Sequence, residues 1–249
     1  MADPTNGTTG TETRVQTLSL PQPDPKDYAV LSGSPSGDKD TGTSGNDLYR
    51  GGAGDDDFDG KGGNDYILGE DGRDSLHGGD GNDIVSGGEG IDILYGEVGN
   101  DTLSGGAEKD TLEAGAGDDI ASGGDAGDYL AGQRGTDTLY GDAGTDILNG
   151  GDGDDTLLGG IDDDTLNGDL GDDILAGGPG EDTFFVYSPI PGGWGRDTVI
   201  DFQPGIDRIE VSGIPDLTYT ATPDGDTRVT WRDPDTDLIL LGVSPADIT

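Results

Sequence analysis

The sequence contains no cysteine, a single histidine and only 12 lysines and arginines among 249 residues. Without cysteine there are no disulfides and no thiolate metal sites, and the redox compartment cannot be read. With only His77 there is no H-E-x-x-H pair, and zinc is disfavoured. So few basic residues argue against nucleic acid and anionic membrane surfaces as partners, since both require positive patches. Hydrophobic residues make up 29% of the chain and aromatics 6%, sparse for a conventional core of this length. No apolar run approaches the ~20 residues of a membrane span. The opening MADPTNGTTGTETRVQ lacks the charged-then-apolar order of a cleavable signal peptide, so any export is expected by another route.

Acid and glycine are what the chain has in quantity. Fifty-three Asp and Glu give a formal net charge of −41, and there are 50 glycines. Low hydrophobicity with high net charge is a signature of disorder. Glycine at this frequency, without collagen-like proline, also suits tight turns repeated many times. The sign of the charge favours cations as partners.

Residues 55–66, DDDFDGKGGNDY, resemble the start of a helix–loop–helix calcium loop, with Asp55, Asp57 and Asp59 on alternate positions and Gly60 next. Such a loop needs a bidentate Glu at its twelfth position, where this chain has Tyr66. A repeat explains the stretch better. From Gly42 the chain runs in nonapeptides (GTSGNDLYR, GGAGDDDFD, GKGGNDYIL and onward to GGPGEDTFF), 16 units over 144 residues without insertion or deletion. Position one is Gly except at Ala114, and position four is Gly except at Glu108, Ala126 and Asp162. Position six is invariably Asp: Asp47, Asp56, Asp65, Asp74, Asp83, Asp92, Asp101, Asp110, Asp119, Asp128, Asp137, Asp146, Asp155, Asp164, Asp173 and Asp182. Position eight is apolar throughout, from Tyr49 to Phe184. A merely solvated acidic surface has no reason to keep one position in nine.

Glycines at positions one, two and four allow a tight turn, and positions seven to nine read as a three-residue strand with position eight facing inward. Such a strand is stable only when stacked. Two units make a coil of 18 residues, so 16 units give eight coils, roughly 40 Å long at ~4.8 Å per coil. The expected fold is all-β: a parallel β-roll with a C-terminal β-rich cap. Stacking brings like charges into columns along each edge, which repel. A hard cation held by carboxylates and turn carbonyls reverses that sign, and a flexible all-oxygen site favours Ca²⁺ over Mg²⁺.

The pattern G-G-x-G-x-D-x-U-x, with U apolar, resembles the RTX (repeats-in-toxin) family, whose nonapeptides form a calcium-bound parallel β-roll. The resemblance covers residues 42–185. It implies calcium between turns of units i and i+2, with the sixteen position-six aspartates as ligands and up to about 14 ions over two edges. It also implies type I secretion, an uncleaved C-terminal signal, and an extracellular or cell-surface location.

Three regions are therefore expected: an extended, mobile segment 1–41, the roll 42–185, and a C-terminal β cap 186–249 carrying the secretion signal. Strands are predicted at 198–202, 208–211, 217–221, 227–231 and 237–243, with PDGD at 223–226 as a hairpin turn. ADIT at 246–249 fits a secretion signal loosely. No catalysis is expected. GSPSG around Ser34 and Ser36 puts Pro at the nucleophile position of a hydrolase elbow, and His77, at position nine, should face solvent. Ice binding is disfavoured because position three is never Thr. The alternatives are a surface-layer, adhesin or matrix component, or the calcium and export module of a larger secreted enzyme. Units of odd rank place more apolar residues outward (Leu48, Tyr66, Leu68, Ile84, Ile120, Tyr140, Leu158, Ile174), so self-assembly through that sheet face is a further expectation.

Overall fold

The computed structural model describes residues 20–21, 23–187, 195–212, 218–230 and 237–248. It is a parallel β-solenoid. Alternate strands belong to two sheets, one of 13 strands and one of ten, and the repeat strands pair in parallel 18 residues apart, except that the last two pair with strands 24 and 25 residues on. The register is uniform: Leu112 sits opposite Leu94 on one side and Leu130 on the other. Among the described residues the only helices are short 3₁₀ turns, Pro25–Asp27 and Pro245–Asp247. No helix there is long and apolar enough to cross a membrane.

Most strands are six residues long rather than three, as in Thr111–Ala116 and Thr165–Leu170. Pairing runs from position seven through position three of the next unit, because position two takes a left-handed φ that carries the backbone past the glycine at position one without leaving the ladder. Only positions four to six remain as the turn.

Position eight forms the core. Tyr49, Phe58, Ile67 and their successors to Phe184 are buried in one continuous cluster. Aromatics stand at both ends of this aliphatic ladder. The Tyr49 and Phe58 rings stack at 4.0 Å, and Phe184 meets Phe202 at 5.9 Å. The outward faces differ from expectation. Leu48 and Tyr66 are buried, and the exposed apolar residues are shared between the sheets: Ile120 and Ile174 on one, Ile93, Tyr129 and Ile147 on the other. His77 stays half-buried, stacked on Tyr95 at 4.4 Å with Nδ1 2.9 Å from Glu97 Oε1.

The pairing also outruns the repeat at both ends. Ala29–Ser32 and Lys39–Thr41 already pair in parallel with Asp47–Ala53 and Asp57–Asp59, so the solenoid begins inside the segment expected to be mobile. The hydrogen-bonding edge of the first repeat strands is what recruits them. Arg196–Val199 and Arg208–Ser212 continue the two sheets beyond Phe185. Asp237–Leu240 adds in parallel to Arg196–Val199. The predicted hairpin Thr218–Ala221 and Thr227–Thr230 then closes that sheet in antiparallel fashion. The expected cap is thus in part solenoid. Residues 1–19, Leu217, Trp231 and Thr249, which entered the sequence expectations, lie outside the described residues.

Candidate metal centres

The sixteen position-six aspartates fall in two columns, one per edge. Asp47, Asp65, Asp83, Asp101, Asp119, Asp137, Asp155 and Asp173 lie on one; Asp56, Asp74, Asp92, Asp110, Asp128, Asp146, Asp164 and Asp182 on the other. Each is 0–2% exposed. The two oxygens of each carboxylate have separate fates. In every one but Asp47, Oδ1 accepts the backbone N–H of the aspartate 18 residues earlier, as in Asp83 N–H to Asp101 Oδ1 at 2.8 Å and Asp92 N–H to Asp110 Oδ1 at 2.8 Å. From Asp56 to Asp182, Oδ2 is buried without a hydrogen-bond partner; in Asp47 the orphan is Oδ1.

Fifteen orphaned carboxylate oxygens in a regular array are not a tolerable native feature, since buried anions require pairing or neutralisation. Burial raises the carboxyl pKa values, assisted by like charges in the column. Asp110 and Asp164 are pushed up to about 8, Asp101 and Asp155 to about 7, and Asp119 and Asp146 to about 6. The glycine at position one explains how the oxygen is housed. A Cβ on Gly105 would collide with Asp110 Oδ2 and lie 2.7 Å from the Gly123 carbonyl oxygen. Carboxylate and carbonyl oxygens therefore crowd the same face of that glycine, one coil apart.

Among the described residues, no three Asp, Glu, His or Cys side chains converge on one point. Any ion held here would draw on backbone carbonyls as well as aspartate oxygens. Such a hard, flexible, all-oxygen donor set suits Ca²⁺ and offers nothing to zinc. The orphaned oxygens fit that ion.

Sequence reasoning missed three members of the columns. Asp38 N–H donates to Asp56 Oδ1 (2.7 Å), Asp173 N–H to Asp197 Oδ1 (3.3 Å), and Asp182 N–H to Asp207 Oδ1 (3.2 Å). The signal was present as GRDTV at 195–199 and GIDRI at 205–209, each a G-x-D-x-apolar core spaced more widely than the repeat. Asp201 ends the ladder differently, its two oxygens accepting the N–H groups of Gly177 and Gly178.

A stacked solenoid with a buried acidic column on each edge defines a cation-binding repeat protein. The family comparison makes this specific. The model of the RTX calcium-binding nonapeptide repeat matches at 41–76, 59–94, 86–121, 95–128, 122–157 and 149–184. Together these matches span more than half of the chain, which therefore belongs to this calcium-binding repeat family. No curated protein matches it. Among solved structures, the chain is similar to the AlgE6R3 subunit of the Azotobacter vinelandii mannuronan C5-epimerase (28% identity, 54% of this chain, 78% of that one, TM-score 0.34). It is also similar to the extracellular lipase LipA of Serratia marcescens (21% identity, 71% of this chain, TM-score 0.29), of which it spans 39%.

Proposed function

We propose that the chain is a secreted calcium-binding module, exported through type I secretion, that folds outside the cell as calcium loads its two aspartate columns. The observation that carries this reading is the row of buried, partnerless carboxylate oxygens. Without a counter-charge, the net charge of −41 and the low apolar content favour the unfolded chain. An ion bound only by the folded state stabilises it by mass action. Affinities of ~10⁻⁴–10⁻³ M per site, as in extracellular modules, would leave the chain unfolded at cytosolic calcium and folded outside. Family membership supports calcium as the ion. The sixteen position-six aspartates are assigned as ligands, with up to about 14 ions by stacking logic. No reaction is assigned to these carboxylates, since one oxygen of each is spent on the backbone ladder.

Circular dichroism of the chain in chelator and through a calcium titration tests the reading. A cooperative gain of β signal with calcium is expected. A β-rich spectrum indifferent to chelator would overturn it.

A further inference from the structure

The two edges of the solenoid are built from different turns. On the edge of Asp47 to Asp173, position five reads Asn46, Asn64, Asn82, Asn100, Asp118, Thr136, Asp154 and Asp172. Its side chains make a second ladder, each Oδ1 accepting the N–H of the residue one coil on. Seven such hydrogen bonds of 2.8–3.2 Å run from Asn46 to Thr136 and from Asp154 through Asp172 to Arg196. On the edge of Asp56 to Asp182, position five reads Asp55, Arg73, Ile91, Lys109, Gly127, Thr145, Asp163 and Glu181. Only two such bonds form there, Asp55 with Arg73 and Asp163 with Glu181.

All three departures from glycine at position four fall on this second edge. Glu108, Ala126 and Asp162 are held at φ of 67°, 79° and 80°, the left-handed region that disfavours a Cβ. Glu108 also disturbs its neighbour. Its Oε2 accepts the Gly90 N–H at 2.9 Å, and the ladder bond from that N–H to Ala107 O stretches to 3.3 Å, against 2.7–3.0 Å for comparable turn glycines. Lys109 stands at position five immediately before Asp110, so that turn carries a positive charge where the other edge carries Asn, Asp or Thr. The turns flanking the Asp110–Asp128 gap thus carry a lysine on one side, and on the other Ala126 and Gly127, which lack the second ladder.

We infer that the two edges load calcium unequally: the Asn-laddered edge first and as one ribbon, the other later, with its break at the Asp110–Asp128 gap set by Lys109 and Ala126. This rests on the reading that the position-six columns hold calcium. A turn already fixed by side-chain bonds loses less entropy on binding. A cation beside a site lowers its affinity for another cation.

The experiment is calorimetric titration of the full chain with calcium chloride at fixed ionic strength, for wild type, Lys109→Asn/Ala126→Gly and Asn82→Ala/Asn100→Ala. Wild type should show two phases. The first double variant, which brings one residue of each of these two turns to the type the other edge uses, should tighten the weaker phase roughly tenfold and leave the stronger one in place. The second should weaken the stronger phase. A single phase, or two phases that neither variant moves, would overturn the inequality while leaving calcium binding intact. No uptake by any of the three would instead remove the calcium reading beneath it.

Discussion

A residue in this roll is defined by what each of its atoms touches one coil away. Five of the seven non-glycine residues at position two show this. Glu70, Glu97, Gln133, Asp142 and Asp169 hold left-handed φ values of 68–78°. Each bonds the position-nine side chain 20 residues earlier: Arg50, His77, Glu113, Ser122 and Asn149 respectively. The inter-coil bond offsets a strain that glycine would avoid. Position six was legible in the sequence because it never varies; the division of labour between its oxygens was not, because a one-letter code does not say which oxygen meets the backbone. That division predicts a difference between two substitutions. Asp101→Asn can keep Oδ1 for the Asp83 N–H but puts an NH2 group where the orphaned Oδ2 stood, so it should raise the calcium midpoint while leaving the ladder bond in place. Asp101→Ala also orphans a buried N–H and should lose a further ~1–3 kcal/mol. Calcium titrations read against urea unfolding separate the two. Asp47→Ala, at the end of its column, should shift the midpoint less than Asp101→Ala.

For the element, the unit is a column of aspartates. Its behaviour with pH follows from the direction of the pKa shifts. In the metal-free fold, burial raises Asp119, Asp101 and Asp110 from the ordinary value of 3.8 to about 6, 7 and 8. The folded chain then binds more protons than the unfolded chain between those values, so stability falls as pH rises. In chelator, the β signal should therefore be greater near pH 4.5 than at pH 8, fading through pH 6–8. Calcium should reverse the trend, displacing protons as it binds, so its midpoint should rise on acidification. Circular dichroism at both pH values, with and without calcium, checks this; a metal-free chain more ordered at pH 8 would contradict it. The strands themselves were only half legible. Alternation located positions seven to nine, but the extension through positions one to three depends on a left-handed residue being kept in register by neighbouring coils, which no single unit reveals.

At the scale of the molecule, the ends are where sequence reading fell short. Boundaries at 42 and 185 follow the strict period, whereas pairing continues wherever an open ladder meets a chain able to extend. Asp40 shows how far the period can be broken. It occupies an apolar position in Lys39–Thr41 and still pairs with Phe58. At the other end Asp237 is buried, with Oδ1 2.7 Å from Arg196 Nε and Oδ2 against Arg228. It ties the last parallel strands to the closing hairpin through two guanidinium groups. Asp237→Asn should loosen residues 218–230 by ~1–3 kcal/mol, the scale of hydrogen bonds to a charged group. Hydrogen exchange in saturating calcium should show faster exchange there, with residues 47–176 unchanged.

The 18-residue register within the repeat has a mechanical meaning. Every hydrogen bond between coils lies along the solenoid axis, so a pull on the two ends loads one rung at a time instead of shearing many together. Each coil that peels away frees 18 residues, about 60 Å of contour at full extension. Under force the repeat should lengthen as a stepped tether, one coil at a time, and on the proposed calcium reading the tension of each step should rise with calcium.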